Sequence, residues 1–405
     1  MSSQTAAPVV DPDSADAIRR QVEALEVSGW GERFTFVQPR NLCFWVYVVL
    51  TGMGAVHIGT SFAPEVGFYG EALAVAAVLC GLCGLAWWLW LRPIDRWERQ
   101  PVGLVLAGLL WGAVPACYLF AATANSSLLA IYPKLFGQDW AADWAAGLTA
   151  PFTEEAAKLC GFLLLMGLAP RLVRTANDGL VIGAFIGLGF ATFENFSYAV
   201  NSTAAAFGTD PVGNAVQMSF TRIAAGFVSH PLFSALVCSG VVYLLGTAAQ
   251  PRRVGLGIGF VLAGILLHFT WDDAGGLGAG NGPLTFAVLF LSVVVAFTLL
   301  SVAFRLAAPR EHQFVRDILA PEVAAGTVTT DEVDGVLDRK ARKAFRTAAP
   351  SRRARRARKH LRRAILDLTH DIAGARGADA ETVRHGRAEV ARLRATAEPT
   401  ATSEP

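Results

Sequence analysis

Eight apolar runs, each long enough to cross the ~30 Å hydrocarbon core of a bilayer, lie at 42–59, 72–91, 102–123, 150–169, 179–200, 220–246, 256–272 and 283–304. A backbone in hydrocarbon has no water to bond, so runs of this length must form helices. A hydrophobic fraction of 53%, a charged fraction of 17% and a mean hydropathy of +0.41 belong to the same class. The expected architecture is all-α and polytopic, with about eight transmembrane helices. The residues before 42 lack the basic, apolar, small-residue order of a cleavable signal, so the first helix is expected to be retained.

Loop charges orient the bundle. Arg92, Arg96 and Arg99 follow the second run, Arg171 and Arg174 the fourth, Arg252 and Arg253 the sixth, and Arg305 and Arg310 the eighth. The alternate loops at 60–70, 201–219 and 273–282 contain no Lys or Arg, and 124–149 contains only Lys134. The positive-inside rule then places both termini in the cytoplasm. Arg222, at the start of the sixth run, is the one other discordant charge. All six cysteines fall within the runs, so disulfides are not expected. Cys80-x-x-Cys83 reads as small residues on a packing face, because a redox pair needs a soluble βαβ setting.

Four runs carry polar residues that a bilayer should exclude: Glu154-Glu155-x-x-Lys158, Phe193-Glu194-Asn195-x-x-Tyr198, His230, and His268-x-x-Trp271-Asp272. Ionisable groups in hydrocarbon cost several kcal/mol each and persist where they pair, bind or react. At ~1.5 Å per residue, with the topology above, the four clusters lie about 5, 10, 15 and 8 Å below the outer surface. They can therefore meet in one cavity. Glutamates and histidines together suit a metal-activated or glutamate-activated water, so the site reads as hydrolytic.

Each cluster also has a reading in which it serves assembly alone. Glu154 and Lys158 stand at i, i+4 and can neutralise one another, but a helix start needs one acid and Glu155 points about 100° away. Glu194 and Asn195 could bond between helices, at a high cost for a carboxylate. Tyr198 and Trp271 suit the interfacial belt. His230 precedes Pro231, which is expected to bend the sixth helix there. His268 and Asp272, one turn apart, suit two ligands of one metal or an imidazole oriented by a carboxylate.

In order and spacing these motifs resemble the PrsW family of intramembrane proteases, itself similar to the CAAX-processing and bacteriocin-immunity membrane proteases. The resemblance covers about 42–305, with its motifs between 151 and 272. It implies a multi-pass metalloprotease of the bacterial cell (inner) membrane that cuts membrane-anchored proteins, of the anti-sigma-factor type among them. Carried over, Glu154, Glu155, Glu194, His230 and His268 are the catalytic candidates, supported by Lys158, Asn195, Tyr198 and Asp272. A divalent metal, zinc by analogy, would sit on His230, His268 and Glu155. His-Glu-x-x-His is absent, which leaves a metal-free, glutamate-activated water open. The rival class is a transporter or channel with a Glu/His proton relay, although no internal repeat supports it.

The segments flanking this core (1–41 and 306–405) read as cytoplasmic. The first has a short amphipathic pattern at Ile18, Val22 and Leu25. In the second, Thr329-x-x-Glu332 forms a capping box, and Leu361, Ile365, Leu368 and Ile372 form a helical stripe. Between 339 and 363 there are 13 Lys and Arg residues and no acid. Such a run beside a membrane attracts anionic lipid at about 1 kcal/mol per basic residue. Without repeated interleaved aromatics, nucleic acid is not expected as its partner.

Overall fold

The structure is a computed structural model that describes residues 12–95, 97–226, 229–349 and 351–397. Arg96 of the orienting charges lies outside the described residues. Every regular element among those described is helical. They divide into two compact units, 34–307 and the described parts of 1–33 and 308–405.

In chain order the helices are α1 (Pro12–Ser28), α2 (Leu42–Leu91), α3 (Val102–Trp111), a π-helical stretch (Gly112–Ala122), α4 (Thr123–Phe136), α5 (Gln138–Trp144), α6 (Ala150–Leu168), α7 (Ala176–Ala205), α8 (Pro211–Ala225), α9 (His230–Leu245), α10 (Val254–Asp272), α11 (Ala274–Leu277) and α12 (Gly282–Ile318). Five stretches among the described residues are long and apolar enough to cross a membrane: Leu42–Ile94, Val102–Phe136, Ala176–Ala205, Val254–Asp272 and Gly282–Ile318. Pro211–Ala225 and His230–Leu245, bent by 44°, make a sixth if taken as one span.

Local causes separate this count from eight. The loop expected at 60–70 is helical apart from Tyr69 (φ −130°, ψ 23°), where two helices meet in a kink. The leg before Tyr69 packs on α3 and the π stretch, with Tyr47 Oη donating to Ala107 O at 2.7 Å and His57 against Tyr118. The leg after it runs antiparallel to α7. Ala76 clusters with Ala199 and Val200, and Trp88 lies 5.0 Å from Phe185. The 19-residue α6 carries Glu154, Glu155 and Lys158, too many charges for an apolar span by composition alone.

The run at 220–246 breaks after Ala225. The expected bend beside Pro231 is present as the 44° change of direction between the two helices, and Pro231 itself lies in the first turn of the second, where its missing N–H has no helical partner to lose. Much of 124–149, expected as a connector, is helical, and α12 continues past 304 to Ile318.

Helix α7 is the axis of the first unit. Its start is fixed by a capping box between Thr175 and Asp178. Gln100 bonds Asp178 Oδ1 at 2.8 Å and, through its backbone N–H, Asp95 Oδ2 at 2.7 Å, tying the turn between α2 and α3 to that end. At mid-length α7 meets α3 and the π stretch backbone to backbone. A Cβ on Gly112 would lie 1.9 Å from Ile186 O, and one on Gly189 would lie 1.9 Å from Leu109 O.

The second unit contains α1, the end of α12, α13 (Ala320–Ala324), α14 (Thr330–Leu337), α15 (Arg339–Thr347), α16 (Arg352–Gly374) and α17 (Glu381–Ala397). The capping box at Thr329 and Glu332 forms, and Leu361, Ile365, Leu368 and Ile372 are buried. In α1 the buried face is Ala17, Gln21, Ala24 and Leu25, while Ile18 and Val22 stay half exposed. Gln21 fixes that choice by donating to Ile318 O at 2.7 Å.

The α3–α7 contact gives a direct test. Gly189→Ala should lower the thermal midpoint of the purified protein by a cost in the overpacking range of about 1–3 kcal/mol or more. Gly59→Ala, whose Cβ meets nothing within 4 Å, should be silent. Equal midpoints for the two variants would contradict the packing described.

Candidate active site

Four helices build one polar cluster. Glu154 and Glu155 stand in the second turn of α6, Glu194 in the second half of α7, His230 at the first residue of α9, and His268 and Asp272 in the last two turns of α10. The helical repeat puts Glu154 and Lys158 on one face and turns Glu155 away from it. Lys158 is fully buried, and its ammonium is the centre of the cluster. It donates to Glu155 Oε1 at 2.8 Å, to Glu154 Oε2 at 3.4 Å and to His230 Nδ1 at 2.9 Å. It also lies 3.8 Å from the centre of the Phe190 ring.

With Nδ1 of His230 accepting from an ammonium, its proton sits on Nε2, which faces Glu194 Oε2 at 3.0 Å. His268 stacks on Phe233 with ring centres 4.8 Å apart. Its Nδ1 lies 3.2 Å from Glu155 Oε1, and its Nε2 lies 3.7 Å from Glu154 Oε2 and 3.4 Å from Asp272 Oδ2.

A cavity of about 340 Å³ opens on this cluster, lined by Glu154, Glu194, His230, His268 and Asp272 with Trp271 and Phe233 beside them. Glu155 does not line it. Its second oxygen accepts from Ser234 Oγ at 3.0 Å, which leaves it behind the cavity wall, clamped between Ser234 and Lys158. Glu154 faces the cavity and is held from the other side by Asn125, whose Nδ2 donates to Oε1 at 3.1 Å.

The donor set fits a divalent metal. Glu154, His230 and His268 each offer a ligand atom, and these atoms all lie within 4.8 Å of one another, near the ~3–4 Å separations around one tetrahedral ion. Asp272 Oδ2 is buried beside them without a hydrogen-bond partner. The carboxylates of Glu154, Glu155, Glu194 and Asp272 cluster here with, among the described residues, only Lys158 and Arg222 as fixed cations, so the cluster has room for added positive charge. Glu154 is the acid near both histidines, while Glu155, the ligand named from the sequence, lies 3.2 Å from His268 Nδ1 behind the cavity wall. One residue step along a helix turns a side chain by about 100°, and that rotation separates the two carboxyl groups.

All nine residues named from the sequence come together here. Tyr198 and Trp271, which also suited an interfacial belt, line the cavity. Three further participants were not singled out. Ser234 follows His230 by one turn, a spacing that was readable. Asn125 gave no sequence signal. Arg222 showed only as a charge on the wrong side of the topology. Its guanidinium pairs with Glu194 Oε2 and donates to Asn195 Oδ1 at 3.0 Å.

Carboxylates and imidazoles facing a cavity among apolar helices are the equipment of a metal-dependent hydrolase set within a membrane. Residues 100–300 match the family described as PrsW family intramembrane metalloprotease, and through this stretch, about half of its length, the chain belongs to that family. It is an intramembrane protease and a multi-pass membrane protein, and the transporter reading gains nothing from the match. No curated protein and no solved structure matches the chain.

The buried ammonium makes a separate prediction. Lys158→Met leaves two buried glutamates without their cation and should cost about 3–5 kcal/mol of stability. Adding Glu155→Gln should recover most of that loss in thermal melts. A Lys158→Met variant as stable as the wild type would contradict the role given to Lys158.

Proposed function

We propose that the protein hydrolyses peptide bonds of membrane-anchored proteins near the outer face of a bacterial cell membrane, with Glu154 handling the proton of the attacking water. The observation that carries this reading is the group Glu154, His230 and His268 on one cavity wall. Eight crossings with both termini in the cytoplasm suit it. The two legs of α2 would be two crossings, α3 with the π stretch the third, α6 and α7 the fourth and fifth, the broken pair α8–α9 the sixth, and α10 and α12 the last two. The loop arginines, Arg222 apart, then fall on the end away from the cavity, and the cavity opens to the outer half. Anti-sigma factors anchored by a single helix are the substrate type that the family suggests.

A zinc ion held by His230 and His268, with Glu154 left beside it as the base, would polarise the scissile carbonyl and lower the pKa of a bound water; binding through His230 would use the Nδ1 lone pair that Lys158 otherwise contacts. Glu154 takes the proton of the water and returns it to the leaving nitrogen as the C–N bond breaks. Asn195 turns its Oδ1 to Arg222, which leaves its amide N–H groups to meet the developing oxyanion. Glu155, 3.2 Å from His268 Nδ1, keeps that imidazole oriented, and Asp272 stands on its Nε2 side. Phe233 and Trp271 limit the water that enters with the substrate.

The tail supports a membrane-surface contact. Arg352, Arg353, Arg355, Arg356, Lys359 and Arg363 are exposed on α16, while its apolar stripe is buried within its own unit. Anionic lipid is the partner this face suits.

Glu154→Gln, His230→Ala and His268→Ala should each reduce cleavage of a single-span reporter by at least about a hundredfold while the protein stays folded. The three combined should be scarcely worse than one, because residues acting as a unit are non-additive. Wild-type cleavage by the single variants would overturn the hydrolytic site. Metal analysis of the purified protein should find about one zinc per chain, lost in His268→Ala. Full activity with no metal and with chelator present would replace zinc by the metal-free, glutamate-activated water. In nanodiscs, anionic lipid should raise the thermal midpoint of the wild type, less so at high salt. It should do little for a variant with Arg352, Arg353, Arg355 and Arg356 changed to Gln, and an equal gain in both would refute the tail contact.

A further inference from the structure

Arg222 is a cation in the last turn of α8, in a stretch apolar enough to count toward a membrane span. Such a charge is retained where its partners repay its desolvation. Its partners are three residues of a single helix: Glu194, Asn195 and Tyr198 of α7. Nη2 meets Glu194 Oε2, Nε donates to Asn195 Oδ1 at 3.0 Å, and the guanidinium carbon lies 4.2 Å from the centre of the Tyr198 ring. A planar fork with an exposed face can make all three contacts at once, and a lysine ammonium cannot. Glu194 Oε2 is in turn the oxygen that faces His230 Nε2 at 3.0 Å.

We infer that Arg222 is a positioning residue of the active site: it fixes the Glu194 carboxylate in the place where it orients His230. The inference rests on the hydrolytic reading above and adds a residue that reading does not use. Without Arg222, Glu194 keeps His230 as its only hydrogen-bond partner among the described residues, and its side chain is free to rotate into the cavity. His230 then loses one of the two contacts that set its tautomer and ring plane. Arg222 also explains Asn195 and Tyr198, which act as the other two walls of the clamp. The clamp spans α7 and α8, so it joins the end of α8 to the imidazole at the start of α9.

The assay is a single-span reporter that the wild type cuts and Glu154→Gln spares, so failure of the hydrolytic reading shows in that control and not in the Arg222 variants. Arg222→Gln should lower kcat by roughly 10–100-fold, the range for partners that orient a reacting group, with KM within about twofold. Arg222→Lys, which keeps the charge but not the fork, should fall between. The deciding comparison is Glu194→Gln against Glu194→Gln/Arg222→Gln. If Arg222 acts through Glu194, its loss costs less than about threefold more in that background. The double variant buries no unpaired charge, so it decides the matter even if Arg222→Gln alone does not fold. Losses that multiply, or a raised KM with unchanged kcat, would overturn the inference and make Arg222 an independent substrate contact.

Discussion

The buried ammonium of Lys158 is the interaction on which the rest of the site depends. A lysine with no solvent exposure is tolerable only with partners on every side, and Glu154, Glu155 and His230 supply them. Their positions follow from that need. Glu155 is drawn behind the cavity wall, Glu154 is left facing the cavity, and His230 accepts at Nδ1, so that its other nitrogen meets Glu194. The ammonium thus sets the positions of two adjacent glutamates that the sequence presents as equals. It also neutralises part of a carboxylate cluster that would otherwise repel itself.

The backbone geometry that permits this is as specific as the charges. Gly112 and Gly189 let α3, the π stretch and α7 approach at backbone distance, which brings Glu194 toward the side of the bundle where α6 begins. The break after Ala225 places His230 at a helix start. A side chain there is free of the helical neighbours that would precede it in an unbroken span. Apart from Glu194 and Asn195 inside α7, the site residues stand near helix ends, where a polar cavity can meet the backbone groups that a helix terminus leaves unbonded and that hydrocarbon would not tolerate.

The constellation was legible in the sequence because ionisable residues in apolar runs are expensive, so Glu154, Glu194, His230 and His268 stood out without any structure. What stayed hidden was local geometry. Hydropathy cannot distinguish a bent helix from two helices and a loop, so 60–70 reads as a loop where the chain is helical up to the kink at Tyr69, and the bend expected at Pro231 comes instead just before His230. The choice between Glu154 and Glu155 depends on which face of α6 meets the cavity, and that is set by α4 and α10, far away in the chain. Arg222 was visible as an exception to the loop-charge pattern. Its meaning required the structure, because its partners on α7 lie 24 to 28 residues earlier in sequence and belong to a motif that already had a reading of its own. In the second unit the capping box and the apolar stripe of α16 were readable because both are local patterns. The face that α1 buries was not, because Gln21 chooses it through a contact with Ile318.

The central claim is that Glu154 acts as the base of a proteolytic site. The most direct measurement is a comparison of new protein termini in membranes of cells producing the wild type and of cells producing Glu154→Gln at equal abundance. The account predicts a set of cuts near the outer ends of single-span proteins that is present with the wild type and absent with the variant. Identical termini in the two samples would contradict it.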